Sequence, residues 1–309
     1  MSQWKPWAAF LFLGLLGWGT SFLWIKVALE EIGPFTVVAY RMVFGAAAAW
    51  AITRAQKTPF SVRGTALVYT LALGVVNTAI PFVLITWAET RIDSGPAGIL
   101  NGTMPLFTIL VAHFFLPDDR FSLPKAAGLA TGFAGLVLLL SRDIGPEALA
   151  GSLIGQLAVI VAAICYAAAN VFTRLKLRGQ HPIHTTAVSL TSSLITLWIL
   201  TPLVEPPVAF PHHAMTWLAL AWMGVMGSAL AYLAYFYLIN TWGSTRAAVV
   251  TYIFPVWAVI LGVIFLGEHP GWHLFLGGGL VIAGIVLVNQ RQSAGPVARL
   301  RRDATNTAE

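Results

Sequence analysis

The hydrophobic positions of this chain fall into ten long runs separated by short polar breaks. They cover about 7–29, 34–53, 65–88, 95–117, 123–141, 152–174, 182–203, 214–238, 246–266 and 272–289. A hydrocarbon core of roughly 30 Å takes about 20 helical residues to cross, so each run predicts one transmembrane helix. The breaks are too short to hold a separate soluble domain. The first run begins after six residues and is longer than the apolar core of a cleaved signal peptide, so it is expected to stay as the first span.

The runs also repeat. Shifting residues 18–53 by 148 sets Leu29 on Leu177, Pro34 on Pro182, Trp50 on Trp198 and Lys26 on Arg174. Shifting residues 74–118 by 150 sets Gly74 on Gly224, Ser94 on Ser244, Pro105 on Pro255 and Asp118 on Glu268, and Ala134-Gly135 meets Ala283-Gly284 at 149. Five helices per copy make the second copy enter the membrane from the opposite side, the arrangement of inverted-repeat carriers. The expected units are a first repeat over 7–141 and a second over 152–290. Between them lies a polar linker with Arg142, Asp143, Gly145, Pro146 and Glu147. The 291–309 tail lacks apolar periodicity and reads as a disordered cytoplasmic extension. Small residues four apart (Gly98 and Gly102, Gly128 and Gly132, Gly279 and Ala283) suit close helix contact in lipid. That spacing favours packing within one molecule and leaves a homodimer open.

Composition agrees with the runs: 58% of the 309 residues are hydrophobic and 10% charged, against about 25% charged in soluble domains. The net charge of +6 does not indicate nucleic acid, because its positions follow the membrane. With the N-terminus inside, cytoplasmic segments hold 14 of the 18 basic residues, from Lys5, Arg54, Lys57 and Arg63 to Arg299, Arg301 and Arg302. Lys26, Arg91 and Arg142 fall at or near the other side, and Arg41 lies within a span. This is the positive-inside asymmetry, and it predicts a multi-pass inner (plasma) membrane protein with both termini cytoplasmic. Cys165 is the single cysteine, so no intramolecular disulfide and no cysteine metal cluster can form.

Enzyme chemistry lacks its parts. The histidines show no metal-ligand spacing, and no nucleophile elbow or phosphate-binding loop occurs; no cofactor and no metal is expected. The carboxylates sit in loops, at span ends or in the tail. Glu89, just past Trp87, is the reserve candidate for an intramembrane proton relay, but it reads first as an interfacial cap; facilitated transport or exchange is therefore expected, with ion coupling undecided. Lys26 is expected to snorkel outward or to pair with Glu30. Arg41 is deeper. An intramembrane Arg costs about 2.5–3.5 kcal/mol near a helix centre, so it should face a wet cavity, where it serves a substrate carboxylate or a structural ion pair. Its counterpart in the second copy is Ser189. The candidate cavity comprises Trp18, Ser21, Trp24, Tyr40, Arg41, Asn77, Asn101, Tyr166, Asn170, Tyr232 and Tyr252, with Tyr166 at the repeat position of Trp18. Pro81, Pro105 and Pro255 lie inside spans and are expected to kink them, at gates or simply in the scaffold.

Several of these stretches together resemble the EamA-like branch of the drug/metabolite transporter superfamily. They are Trp18 through Lys26, Pro34, Arg41-Met42, Ser94 through Ala97, Pro105 through Phe107, Asp119-Arg120 and Gly128 through Gly135. In the second copy they are Tyr252 through Pro255, Leu266 through Glu268 and Ala283-Gly284. The likeness covers about residues 8–290. It implies an all-α polytopic protein of ten transmembrane helices, two inverted five-helix repeats around a central cavity, moving amino acids, other small metabolites or drugs, frequently outward. The expected function is a secondary transporter of small polar or amphipathic metabolites, amino-acid-like export first. The alternatives are an integral-membrane enzyme and a non-transporting receptor or scaffold. The expected partners are a small-molecule substrate and the lipid bilayer.

Overall fold

The computed structural model describes residues 4–115, 123–141, 151–242 and 249–289. The linker, the tail, the Asp118–Arg120 stretch and Ser244 through Ala247 lie outside the described residues. Ten helices occupy the ten predicted runs. Seven are long and apolar enough to cross a membrane: α1 (Lys5–Leu29), α2 (Pro34–Gln56), α3 (Thr65–Ala88), α4 (Ser94–Phe115), α6 (Ser152–Lys176), α7 (Pro182–Val204) and α8 (Ala214–Tyr235). Three are shorter apolar helices: α5 (Lys125–Ser141), α9 (Val250–Leu266) and α10 (Trp272–Val288). Each of these three borders residues outside the description. Prolines begin α2 and α7, where a missing N–H costs nothing and the ring presets the helical φ.

The helices pack as two intertwined halves. α2 lies on α7, α4 on α9 and α5 on α10, each pairing a helix with its repeat counterpart. The remaining contacts come in exchanged sets: α3 on α6 and α8 on α1, α4 on α6 and α9 on α1, α3 on α7 and α8 on α2. Adding five to every index in these sets returns the same pairs, the signature of a pseudo-twofold axis between the copies.

The symmetry reaches single residues. Gly74 of α3 lies against the backbone of Ser189 in α7, and its counterpart Gly224 of α8 lies against the backbones of Arg41 and Gly45 in α2. With lipid on the outside, helices associate through such backbone approaches rather than through solvent exclusion. The most extensive is α5 on α10. A Cβ on Gly284 would stand 2.5 Å from the Gly128 carbonyl oxygen, and one on Gly135 would stand 2.6 Å from that of Gly277. The Gly98–Gly102 pair packs on Ala258 and Pro255 of α9, within the molecule as expected. The Gly279–Ala283 pair does not: Gly279 faces open space and both residues are exposed. The contact face of α10 is the row Gly277, Val281 and Gly284 instead.

Gly284→Ala should lower the melting temperature in detergent by several degrees, because overpacking against rigid backbone costs about 1–3 kcal/mol or more. Gly279→Ala, at open space, should leave it unchanged; equal effects of the two would contradict the packing described.

Candidate functional site

Five of the helices around the central space, α1, α3, α4, α8 and α9, are broken where they pass it. α1 contains a π-helical turn over Phe12–Gly17, and α3 and α8 contain repeat-matched π turns over Val75–Ala79 and Val225–Leu230. α9 opens with a 3-10 turn over Val249–Tyr252. Such wide or tight turns leave carbonyls without ladder partners and recur at functional positions. The three prolines belong to these breaks. Pro81 starts the α-helical segment after the π turn of α3. Pro105 follows the Gly102-Thr103 interruption in α4, and Pro255 follows the 3-10 turn. Each falls in the first turn of the helical segment that follows an irregular turn.

The breaks surround a cavity of about 150 Å³. Eight of the residues expected there line it: Trp18, Ser21, Arg41, Asn77, Asn101, Tyr166, Asn170 and Tyr232. On α1 the lining positions 18, 21, 22 and 25 form one i, i+3, i+4, i+7 face. Trp18 stands edge-on to Tyr232 and to Phe254, each at 6.4 Å between centroids. Asn77 Nδ2 donates to the Tyr232 hydroxyl at 3.0 Å. The Asn101 side-chain oxygen is buried and accepts no hydrogen bond.

Three expected residues lie elsewhere. Trp24 is off the lining face of α1 and packs on Trp222 at 6.0 Å. Tyr40 is turned away from its neighbour Arg41 and wedges between Trp198 and Trp217. The Tyr252 hydroxyl donates to the Ile285 carbonyl. The wall also includes residues that polarity did not single out: Phe22, Ile25, Phe82, Ile85, Met104, Tyr235, Thr251 and Phe254. For Phe22 and Ile25 the signal was helical phase relative to Trp18 and Ser21; Thr251 and Tyr235 gave none.

Arg41 is 4% exposed, and every partner it has is neutral. Nε donates to Ser228 Oγ at 3.2 Å, and Nη2 donates to the Gly227 carbonyl at 3.4 Å, inside the π turn of α8. The guanidinium lies 4.0 Å from the Phe82 ring centroid, a contact worth about 2 kcal/mol when desolvated. The expected structural ion pair is not among these contacts. Ser189, the repeat counterpart, is too short to reach across.

One end of the bundle is bound together by carboxylates. Glu205, after α7, accepts the backbone N–H groups of Phe35 and Thr36 and the Thr36 hydroxyl, at 2.9–3.0 Å. Glu268, after α9, accepts the N–H groups of Ser94 and Gly95 at 2.6 and 3.1 Å. Glu31, after α1, accepts those of His212 and His213 and the Thr216 hydroxyl. In each case the carboxylate of one repeat caps a helix N-terminus of the other, where orphan N–H groups and the helix dipole favour negative charge. The adjacent His212-His213 pair thus meets Glu31 through its backbone. Lys26 neither snorkels outward nor pairs with Glu30. Its ammonium donates to the carbonyls of Glu89 and Ile92, both at 2.7 Å. Glu89 is no interfacial cap: it is 1% exposed and neither carboxylate oxygen has a partner. Among the described residues no group of three or more His, Cys, Asp or Glu side chains is arranged to hold a metal ion.

A membrane-embedded polar and aromatic cavity between two symmetry-related helical halves defines the class: a multi-pass membrane protein built like a carrier. The chain belongs to the EamA-like transporter family, whose pattern matches residues 5–141 and again 153–290, within the drug/metabolite transporter superfamily. It is 25% identical over 272 residues to the uncharacterized transporter YoaV of Bacillus subtilis, covering 87% of this chain and 92% of that one. It is 26% identical to the uncharacterized inner membrane transporter YedA of Escherichia coli K12, covering 90% and 89%. A probable terminal-alkyne amino-acid exporter of Streptantibioticus cattleyicolor is 24% identical, covering 91% and 92%. A solved crystal structure superposes with a TM-score of 0.63 at 22% identity, covering 92% of this chain and 98% of the other; that likeness speaks for the fold alone.

The Glu31 cap gives a pH signature. Desolvation raises the affinity of this carboxyl for a proton, but the Thr216 hydroxyl, the two backbone N–H groups and the nearby His213 outweigh it and hold the pKa below the ordinary 4.5. A depressed folded-state pKa gives stability that is present above the unfolded value and lost as pH falls through the folded one. The melting-temperature gap between wild type and Glu31→Ala should therefore close as pH drops below 4.5. A gap that stays constant into acid would contradict the assignment.

Proposed function

We propose that this protein is a secondary carrier for small metabolites bearing a carboxylate, amino-acid-like solutes first, and that it works by alternating access toward export. The observation that carries this reading is the Arg41 guanidinium: buried, on the cavity wall, and held only by neutral partners. A cation kept in hydrocarbon at a cost of a few kcal/mol is matched by an anion that comes and goes. Guanidinium suits the planar carboxylate, which takes two parallel N–H bonds. For an amino acid, the unpartnered Asn101 oxygen is an acceptor for the ammonium, and the Trp18, Phe22 and Phe254 rings take an apolar side chain. The cavity of about 150 Å³ is below the range of drug-sized pockets, in keeping with a small solute. The exporter relative named for a terminal-alkyne amino acid favours the same class.

Charge and burial support the outward direction. The positive-inside asymmetry favours cytoplasmic termini and a carboxylate-bound end that faces outside. Phe22, Ile25 and Ile85 seal the cavity toward that end at 3–5% exposure, whereas Asn170, toward the opposite end of α6, is exposed. This conformation is then loaded from the cytoplasm, and opening outward requires the three cross-repeat caps to part while the halves rock about their axis.

In proteoliposomes, a panel of metabolites screened by counterflow should return carboxylate-bearing hits. Arg41→Gln should cut their flux about 10- to 100-fold, the loss of a charged hydrogen-bond pair worth about 1.5–3 kcal/mol. Undiminished flux in Arg41→Gln would defeat the substrate role of this residue.

A further inference from the structure

We propose that Glu89 is a proton-binding site: its carboxyl holds a proton in the conformation described and releases it to water when the end of the bundle it borders opens. The evidence is a contrast within one cluster. Besides the exposed Glu30, four glutamates gather at this end, and three of them accept two or three N–H or O–H donors each. Glu89 accepts none, although it is the most deeply buried, at 1% exposure with both oxygens out of contact with solvent. An ionised carboxylate stripped of water and of donors costs several kcal/mol. A neutral carboxyl in the same place carries only the cost of an unpaired polar group.

The charged groups that act on it come from three elements: Lys26 of α1, Glu268 after α9 and Arg41 of α2. Arg91, two residues along, lies over the Trp87 ring at 3.8 Å instead. Lys26 is the nearest cation by construction, since its ammonium donates to the Glu89 backbone carbonyl. It spends two of its three N–H donors on carbonyls, so one remains to receive a carboxylate. Opening admits water, the O–H bond of Glu89 breaks, the proton passes to that water, and the Lys26 ammonium turns its third donor to the new carboxylate. Closing reverses each step. Because Ile85, one turn before Glu89, lines the cavity, the site stands between the substrate space and the closed end. Acid on that side then favours the closed conformation, and alkali favours the open one.

The opening step rests on the alternating-access reading, but the protonation state does not, and two measurements separate them. Infrared spectra of the full chain in lipid near neutral pH should show a protonated-carboxyl stretch that disappears in Glu89→Gln, shifts in Glu89→Asp and persists in Glu205→Gln. No such band in wild type, or a band that survives Glu89→Gln, would overturn the site. Hydrogen exchange across residues 26–36 and 89–97, corrected for intrinsic rates, should rise severalfold with pH in wild type and stay flat in Glu89→Gln. The same pH response in both proteins would overturn the release step. Glu89→Gln mimics the neutral acid and should melt near wild type; if it does not fold, the shifted band in Glu89→Asp gives the same assignment, and an unshifted one refutes it.

Discussion

A backbone or side-chain polar group inside hydrocarbon must find its partner within the protein, and this bundle is arranged around the places where that rule is strained. Straight helices satisfy their own ladders. α1, α3, α4, α8 and α9 are interrupted instead, and the interruptions expose carbonyls and hydroxyls toward one another across the pseudo-twofold axis. The Gly227 carbonyl, released within a π turn, is what receives the Arg41 guanidinium. Without the break in α8, the cation in α2 would lose its backbone acceptor at that depth.

The two copies share a scaffold and differ where a ligand would be read. Gly74 against Ser189 and Gly224 against Arg41 are the same backbone contact made twice. The side chains at that contact are unlike, and in the first copy alone a charge extends from it into the cavity wall. Duplication thus supplies a symmetric frame that can rock, and a single substitution within it supplies asymmetry toward a solute. The carboxylate caps add a second asymmetry, between the two ends of the bundle. Each is a modest interaction, about 0.5–2 kcal/mol for a helix cap, strong enough to hold an end closed and weak enough to part.

Much of this was legible in the sequence, and what was not has physical causes. The ten runs, the repeat offset and eight of the cavity residues follow from hydropathy, duplication and the rarity of polar groups in spans. Trp24, Tyr40 and Tyr252 were grouped with the cavity because aromatic type says nothing about helical phase; Tyr40 is adjacent to Arg41 and so about 100° around the helix from it. The prolines announced breaks, but not that each one falls in the first turn of a new helical segment after a π, 3-10 or glycine turn. The caps were invisible because a glutamate at a span end looks interfacial until its partner, about 170 to 180 residues away, is brought beside it. In sequence Glu89 stands apart from the other span-end glutamates only as a reserve relay candidate; the three-dimensional count of donors is what decides. The small-residue row of α10 was off by one face for the same reason as the aromatics: spacing fixes which residues share a stripe, and not which stripe meets a neighbour.

The central claim is that a buried guanidinium with neutral partners recognises the carboxylate of a small solute. It is tested most directly on the ligand rather than on the protein. Neutral L-amino acids and their carboxamide analogues, matched in side chain, should be compared for counterflow and for thermal stabilisation of the purified protein. The account predicts that amino acids among the hits exchange and stabilise while their amides do neither. Equal activity of acid and amide would contradict it, because the group that Arg41 is held in place to meet would then be dispensable.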